Sequence, residues 1–149
     1  MGCMRLSTVP TRDDEVSVRV LVAALEAGVT LLDTADVYCI DEADTGHNER
    51  LVAQALRAWG GPAASVTVAT KGGMTRPGGK WVPNGRARHL AAACEASLRA
   101  LDVDSIDLYQ LHAPDPRGKL STSVRALRKL RDARLVPRVG LCNVNQSQL

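Results

Sequence analysis

Short apolar runs alternate along the chain with longer stretches in which apolar residues recur every three or four positions. Val29–Asp33, Val66–Lys71, Ile106–His112 and Arg138–Cys142 have the length and make-up of buried strands, and Met4–Ser7 reads as the tail of a clipped first strand. Between them, Val18, Leu21, Val22 and Leu25 share one helical face. A second helix, from about Asn48 to Trp59, turns Leu51, Val52, Ala55, Leu56 and Trp59 inward. A third aligns Leu90, Cys94, Leu98 and Leu101, and a fourth, from about Thr122 to Ala133, aligns Val124, Leu127 and Leu130. Thr11 with Asp14 predicts a capping box before the first helix, Gly28 its end, Gly60-Gly61-Pro62 the stop of the second, and Asn84 the cap of the third. The Gly- and Pro-rich stretch Gly72–Gly85 is long for a strand-to-helix link, which predicts a functional loop.

Strands alternating with helices imply βα units and a parallel sheet, hence an α/β fold. A doubly wound dinucleotide-binding sheet should carry G-x-G-x-x-G after its first strand, and this chain has no such motif. A (β/α)8 TIM barrel instead gathers reactive side chains from the C-terminal ends of several strands, which fits Asp33, Lys71, His112 and the pair Cys142-Asn143. Five strands are legible where that barrel has eight. The expectation is therefore one domain, residues 1–149, forming an incomplete barrel of about the first five βα units. Its open edges, with apolar rows such as Val66, Val68 and Leu108, predict an isolated chain that is inactive and either aggregated, molten or closed by a partner.

Composition narrows the class. With 45% hydrophobic and 23% charged residues in 149, the chain has the make-up of one globular unit. No apolar run approaches the roughly 20 residues that span a bilayer, and the start MGCMRLSTVP is too short and polar for a signal peptide. The cysteines Cys3, Cys39, Cys94 and Cys142 lie far apart without a C-x-x-C pair, which predicts reduced thiols in a cytoplasmic protein. A net charge of +3 with scattered arginines argues against a nucleic-acid partner. Asp41, Glu42 and Asp44 are one loop of acids without further ligands, so no metal is expected. His47 and His89 read as solvated histidines, and Arg125, Arg128, Lys129 and Arg131 as the exposed face of a helix.

The candidate chemistry lies at the strand ends. The segment LLDTADVY, Leu31 to Tyr38, delivers a carboxylate at the end of a strand and a phenol five residues later; the next two strands close on Lys71 and His112. An Asp, a Tyr, a Lys and a His so placed make a proton-transfer site. Lysine is scarce here, four residues against fifteen arginines, and arginine could not shift its pKa in the same way.

The order D-x-A-x-x-Y, strand-terminal Lys, strand-terminal His resembles the tetrad of the aldo-keto reductase superfamily. The resemblance runs through the whole chain and implies catalytic Asp33, Tyr38, Lys71 and His112, with NADPH as hydride donor and small aldehydes or ketones as substrates. It implies Tyr38 as proton donor. A free phenol, with pKa near ~10, is a reluctant acid at neutral pH, and a neighbouring ammonium favours its ionised form. Lys71 would supply that charge, Asp33 would hold Lys71, and His112 would orient the carbonyl. It also implies cofactor contacts from Cys3 and Met4 in the first-strand turn, from Asp33, and from Cys142-Asn143, where the family carries Ser-Asn; a thiol is a poorer hydrogen-bond partner than that hydroxyl. Two other classes fit less of the pattern: a non-catalytic nucleotide-binding or regulatory relative, and the inert product of a broken gene. No pattern in the sequence fixes the substrate or an oligomeric state.

Overall fold

The computed structural model describes residues 1–148. Its strands are β1 (Leu31–Asp33), β2 (Thr67–Gly72), β3 (Met74–Thr75), β4 (Val82–Pro83), β5 (Leu108–Leu111) and β6 (Arg138–Leu141). Its helices are α1 (Asp14–Glu26), α2 (His47–Trp59), α3 (Ala87–Leu101) and α4 (Leu120–Asp132). The main sheet is parallel in the order β1-β2-β5-β6, so each βα unit lays its strand beside the previous one. A doubly wound sheet reverses direction part-way; this order does not, and it is the progression of a barrel. The described strands make up part of such a barrel.

The first strand position lies earlier than the apolar pattern indicates. The Cys3 N–H donates to the Asp33 carbonyl at 2.9 Å and the Asp33 N–H to the Met1 carbonyl at 2.8 Å, so residues 1–3 run beside β1. Met4–Leu6 is a turn of 3-10 helix, closed by the Ser7 N–H on the Met4 carbonyl. Two caps also differ from expectation. The Asp13 carboxylate, not Thr11, accepts from the Val16 N–H to start α1. Helix α3 begins after Arg86 without a side-chain cap, while the Asn84 N–H is bonded to the Gly73 carbonyl. Gly60 ends α2 in the left-handed conformation, where a Cβ would be strained.

The strand period separates two faces of the sheet. Leu32, Tyr109 and Leu111 point towards the helices and are wholly buried with Leu21, Leu51, Val52, Leu90 and Leu127. Leu31, Asp33, Ala69, Lys71, Leu108 and Gln110 lie on the opposite face, the interior of the barrel. Leu31 is 45% exposed there. Of the three residues expected to form exposed apolar rows, Val66 is buried and Val68 packs against the helix-side core; only Leu108 lies on the open face. In α4 the inward stripe is Ser123, Ala126, Leu127 and Leu130, and Val124 is exposed. The Ser123 hydroxyl donates to the Gly85 carbonyl at 2.8 Å, which satisfies a polar group on the inner face.

Gly72 ends β2 where a side chain has no room. A Cβ there would fall 1.9 Å from the Tyr109 hydroxyl oxygen, and that ring is wholly buried. Gly72→Ala is expected to destabilise the fold by about 1–3 kcal/mol through overpacking. The Tyr109 hydroxyl has no hydrogen-bond partner among the described residues, so Tyr109→Phe should be close to neutral and should relieve part of the Gly72→Ala defect. Urea titration of both single variants and the double variant tests this; a fully additive double variant would refute the contact.

Candidate active site

The ends of β1 and β2 place a carboxylate and an ammonium side by side. Asp33 pairs in register with Ala69, and Lys71 stands two residues further along β2 on the same face. The Lys71 side chain reaches back and donates to Asp33 Oδ1 at 2.8 Å, to the Thr34 carbonyl at 2.8 Å and to Tyr38 Oη at 3.1 Å. An ammonium has three N–H groups, so all three are committed. Burial pulls the Lys71 pKa down, but the hydrogen bonds and charges of Asp33 and Tyr38 outweigh it and leave the pKa raised above its usual value. Lys71 is therefore charged throughout the neutral range.

Tyr38 arrives by a tight turn. The Asp36 carboxylate accepts from the Val37 N–H and the Ala35 carbonyl from the Tyr38 N–H, so the segment from Thr34 to Cys39 folds back, almost entirely buried, over the end of β2. A network behind it fixes the start of that turn: the Thr34 hydroxyl bonds Asn48 Oδ1 at 2.7 Å, and Asn48 Nδ2 donates to the Cys3 carbonyl and to Ser7. His112 follows β5, its N–H bonded to the Gly72 carbonyl at 2.8 Å. Its ring meets Tyr38 edge-on with centroids 5.5 Å apart. Trp81, at the foot of β4, closes the group, 6.3 Å from Tyr38 and 6.1 Å from His112 between centroids.

Asp33, Tyr38, Lys71 and His112 thus converge on one place, at the C-terminal edge of the sheet's inner face. The residues expected near a cofactor are more dispersed. Cys142, just beyond β6, directs its thiol to Gln110 Oε1 at 3.2 Å, and Asn143, in the left-handed conformation, donates to the His112 carbonyl at 2.8 Å. Both stand at the same edge as the four. Met4 is exposed on the N-terminal turn, and the Cys3 side chain is wholly buried in the core, where burial raises its thiol pKa to about 11. The Cys3 side chain thus lies among core residues, apart from the open face that carries the four.

Three features escaped the sequence. His47 is not solvated: it is buried, with Nδ1 2.8 Å from the Ser7 hydroxyl and Nε2 3.1 Å from the Asp14 carboxylate. This Asp–His–Ser row looks like a hydrolase triad, but Ser7 is wholly buried and out of reach of a substrate. His89 is half-buried, bonded to the Met74 carbonyl. The hairpin β3–β4, which carries Trp81 and the buried Arg76, occupies the long Gly/Pro loop; the R-P-G-G turn between its strands is the signal that could have found it. The acidic loop is engaged in structure, Asp44 with Arg12 and Glu42 with the Gly78 N–H, and no three His, Cys, Asp or Glu converge among the described residues. A separate cleft of about 580 Å³ between the segment after β1 and helix α3 contains none of Tyr38, Lys71 and His112.

Burial lowers the His112 pKa to about 4, from an ordinary 6.5, and the Lys71 ammonium adds to the effect. The imidazole is neutral at neutral pH. Because the folded value lies below the unfolded one, the unfolded chain takes up this proton first. The resulting loss of stability grows as pH falls from 6.5 and is complete below about 4. His112→Gln should therefore lose less melting temperature than wild type between pH 7 and pH values of about 4–5; equal losses would place the acid sensitivity elsewhere.

A parallel sheet in barrel order with a Lys–Asp–Tyr–His group at its C-terminal edge defines the class: part of a (β/α)8 barrel with ionisable side chains gathered at its strand ends. The chain belongs to the aldo/keto reductase family, whose sequence model matches residues 1–149. It is 30% identical over 137 residues to the aldo-keto reductase YhdN of Bacillus subtilis, covering 92% of this chain and 40% of that protein. Among solved structures it resembles the holo form of aldo-keto reductase AKR11C1 from Bacillus halodurans, with 32% identity, a TM-score of 0.80, and 97% of this chain and 45% of that one covered. It likewise resembles the glycerol dehydrogenase AKR11B4 from Gluconobacter oxydans, with 32% identity, a TM-score of 0.84, and coverage of 99% and 45%. The chain thus spans a little under half the length of these relatives. No described helix is long and apolar enough to cross a membrane.

Proposed function

We propose that this site reduces the carbonyl of a small aldehyde or ketone, with Tyr38 giving the proton and NADPH as the cofactor, in a protein completed to the length of its relatives. The observation that carries the reading is the direction of the hydrogen bonds at Lys71. Its ammonium donates to Tyr38 Oη, so the phenol accepts there and its own O–H is left to donate to a substrate. As that proton leaves, the developing phenolate stays 3.1 Å from a charge held in place by Asp33 and the Thr34 carbonyl. His112 is neutral at neutral pH and stands edge-on to Tyr38 at 5.5 Å between centroids, from where an imidazole N–H would bond the same carbonyl oxygen and fix its orientation. General acid help of this kind contributes ~10²–10⁴-fold, and positioning adds to it.

A nicotinamide cofactor would supply the hydride, which no side chain can. Asn143, whose amide carries both a donor and an acceptor, suits a carboxamide at this edge of the sheet, with Cys142 as the weaker neighbour. The buried, unpaired thiols fit a reducing compartment such as the cytoplasm. The test is aldehyde-dependent oxidation of NADPH, followed at the cofactor's absorbance, with NADH as the comparison. Oxidation by neither nucleotide across a panel of small aldehydes and ketones, in a full-length folded protein, would reject the reading.

A further inference from the structure

Arg76 is a charged residue in an unusual position. The residue is only 6% exposed, and it forms no ion pair among the described residues. Burying a lone guanidinium is costly unless something offsets it. Nε and Nη1 are buried without a partner among the described residues, and two contacts offset part of the cost. Its Nη2 donates to the Cys39 and Ile40 carbonyls at 3.0 Å each, and its central carbon lies 3.8 Å from the centroid of the Trp81 ring. Both contacts act on the same wall. Cys39 and Ile40 are the two residues after Tyr38, and Trp81 borders Tyr38 and His112. The hairpin that carries Arg76 is seated on the same segment elsewhere: the Gly78 N–H donates to Glu42 at 2.6 Å, and a Cβ at Gly79 would fall 3.2 Å from the Ile40 carbonyl.

We infer that Arg76 is a positioning residue, which clamps Trp81 and the segment after Tyr38 into one rigid wall beside the reacting carbonyl. The inference rests on the reductase reading above. Trp81 is 42% exposed, and that open part of the ring is the surface that a group attached to the carbonyl meets. Arg76 touches no substrate; it determines how firmly the ring stands. The consequence is selective. A flat, apolar substituent gains from a fixed indole face, whereas a short aliphatic aldehyde scarcely touches it. A lysine is a poor replacement for the arginine, because its ammonium is a compact, strongly hydrated charge and gains less over a ring face than a delocalised guanidinium.

The experiment compares kcat/KM for benzaldehyde and for propionaldehyde in the full-length protein. Arg76→Met should lower the benzaldehyde-to-propionaldehyde ratio by about tenfold, the scale of one desolvated guanidinium–aromatic contact. Arg76→Lys should not restore it. In a Trp81→Ala background Arg76→Met should leave the ratio unchanged, because the ring through which it acts is gone. Arg76→Met should also shift the emission spectrum without cofactor or substrate, and that shift should be absent in the Trp81→Ala background. A variant that lowers both aldehydes equally, or one whose effect on the ratio adds to that of Trp81→Ala, would overturn the inference. Failure of the reductase reading is distinct: the wild-type protein would then reduce neither aldehyde.

Discussion

Tyr38→Phe, introduced into the full-length protein, is expected to abolish carbonyl reduction while leaving the fold and cofactor binding intact. The ring is buried and its packing against His112 and Trp81 needs no hydroxyl, so phenylalanine fills the same space. What disappears is the oxygen that accepts from Lys71 and holds the proton to be given. The loss should be at least the ~10²–10⁴-fold of general acid catalysis. Lys71 keeps Asp33 and the Thr34 carbonyl as partners, so no charge is stranded. Cofactor binding, read by fluorescence of the bound nicotinamide, should be unchanged within a factor of about three, since uniform binding does not depend on a group that acts in the transition state. Turnover within tenfold of wild type would remove Tyr38 as the proton donor. A matched loss of cofactor binding would make its role structural.

The elements that the sequence made legible are those whose signal is local. β1, β2, β5 and β6 show as apolar runs because their helix-facing side is core, and the reactive residues stand out because each follows such a run. The inward stripe of α2 was equally plain: Leu51, Val52 and Ala55 are all buried. What stayed hidden depends on partners far away in the chain. His47 looked solvated because its partners, Ser7 and Asp14, lie 40 and 33 residues earlier. Hydrophobicity alone places Val124 on the inner face of α4, whereas a serine bonded to Gly85 occupies that position. Arg76 was invisible for the same reason. An arginine in a Gly/Pro loop reads as surface charge, and only the hairpin brings its guanidinium onto an indole and two carbonyls. At Cys3 the side chain faces the core, because Met1–Cys3 run beside β1 instead of turning towards the site.

Lys71→Met should be as damaging as the loss of Tyr38, but by a different route and with a different signature. Methionine matches the length and apolar stem of lysine, so the packing between β2 and the Tyr38 turn survives. Three hydrogen bonds do not, and the Thr34 carbonyl and Asp33 each lose a partner. Removing one member of a fully buried ion pair costs about 3–5 kcal/mol; here the Asp33 side chain is 39% exposed and water can replace much of the interaction, so the stability loss should be well below that. The catalytic loss is not softened in this way. Without the ammonium, nothing at 3.1 Å favours the charge that develops on the phenol oxygen, and a loss of ~10²–10³-fold in kcat is expected, the range seen when one preorganised donor is removed. The contacts of Asp33 and Tyr38 hold the Lys71 pKa above its usual value, so any alkaline limb due to the loss of that ammonium should vanish from the pH–rate profile of Lys71→Met, while His112, neutral above about 5, contributes no limb near 6.5 in the wild-type protein. Lys71→Arg separates charge from geometry: it keeps a cation but cannot aim three N–H groups from one nitrogen, so its activity should fall between wild type and Lys71→Met. An unchanged profile with near-wild-type kcat in Lys71→Met would mean that the Asp33–Lys71 pair only braces the ends of β1 and β2.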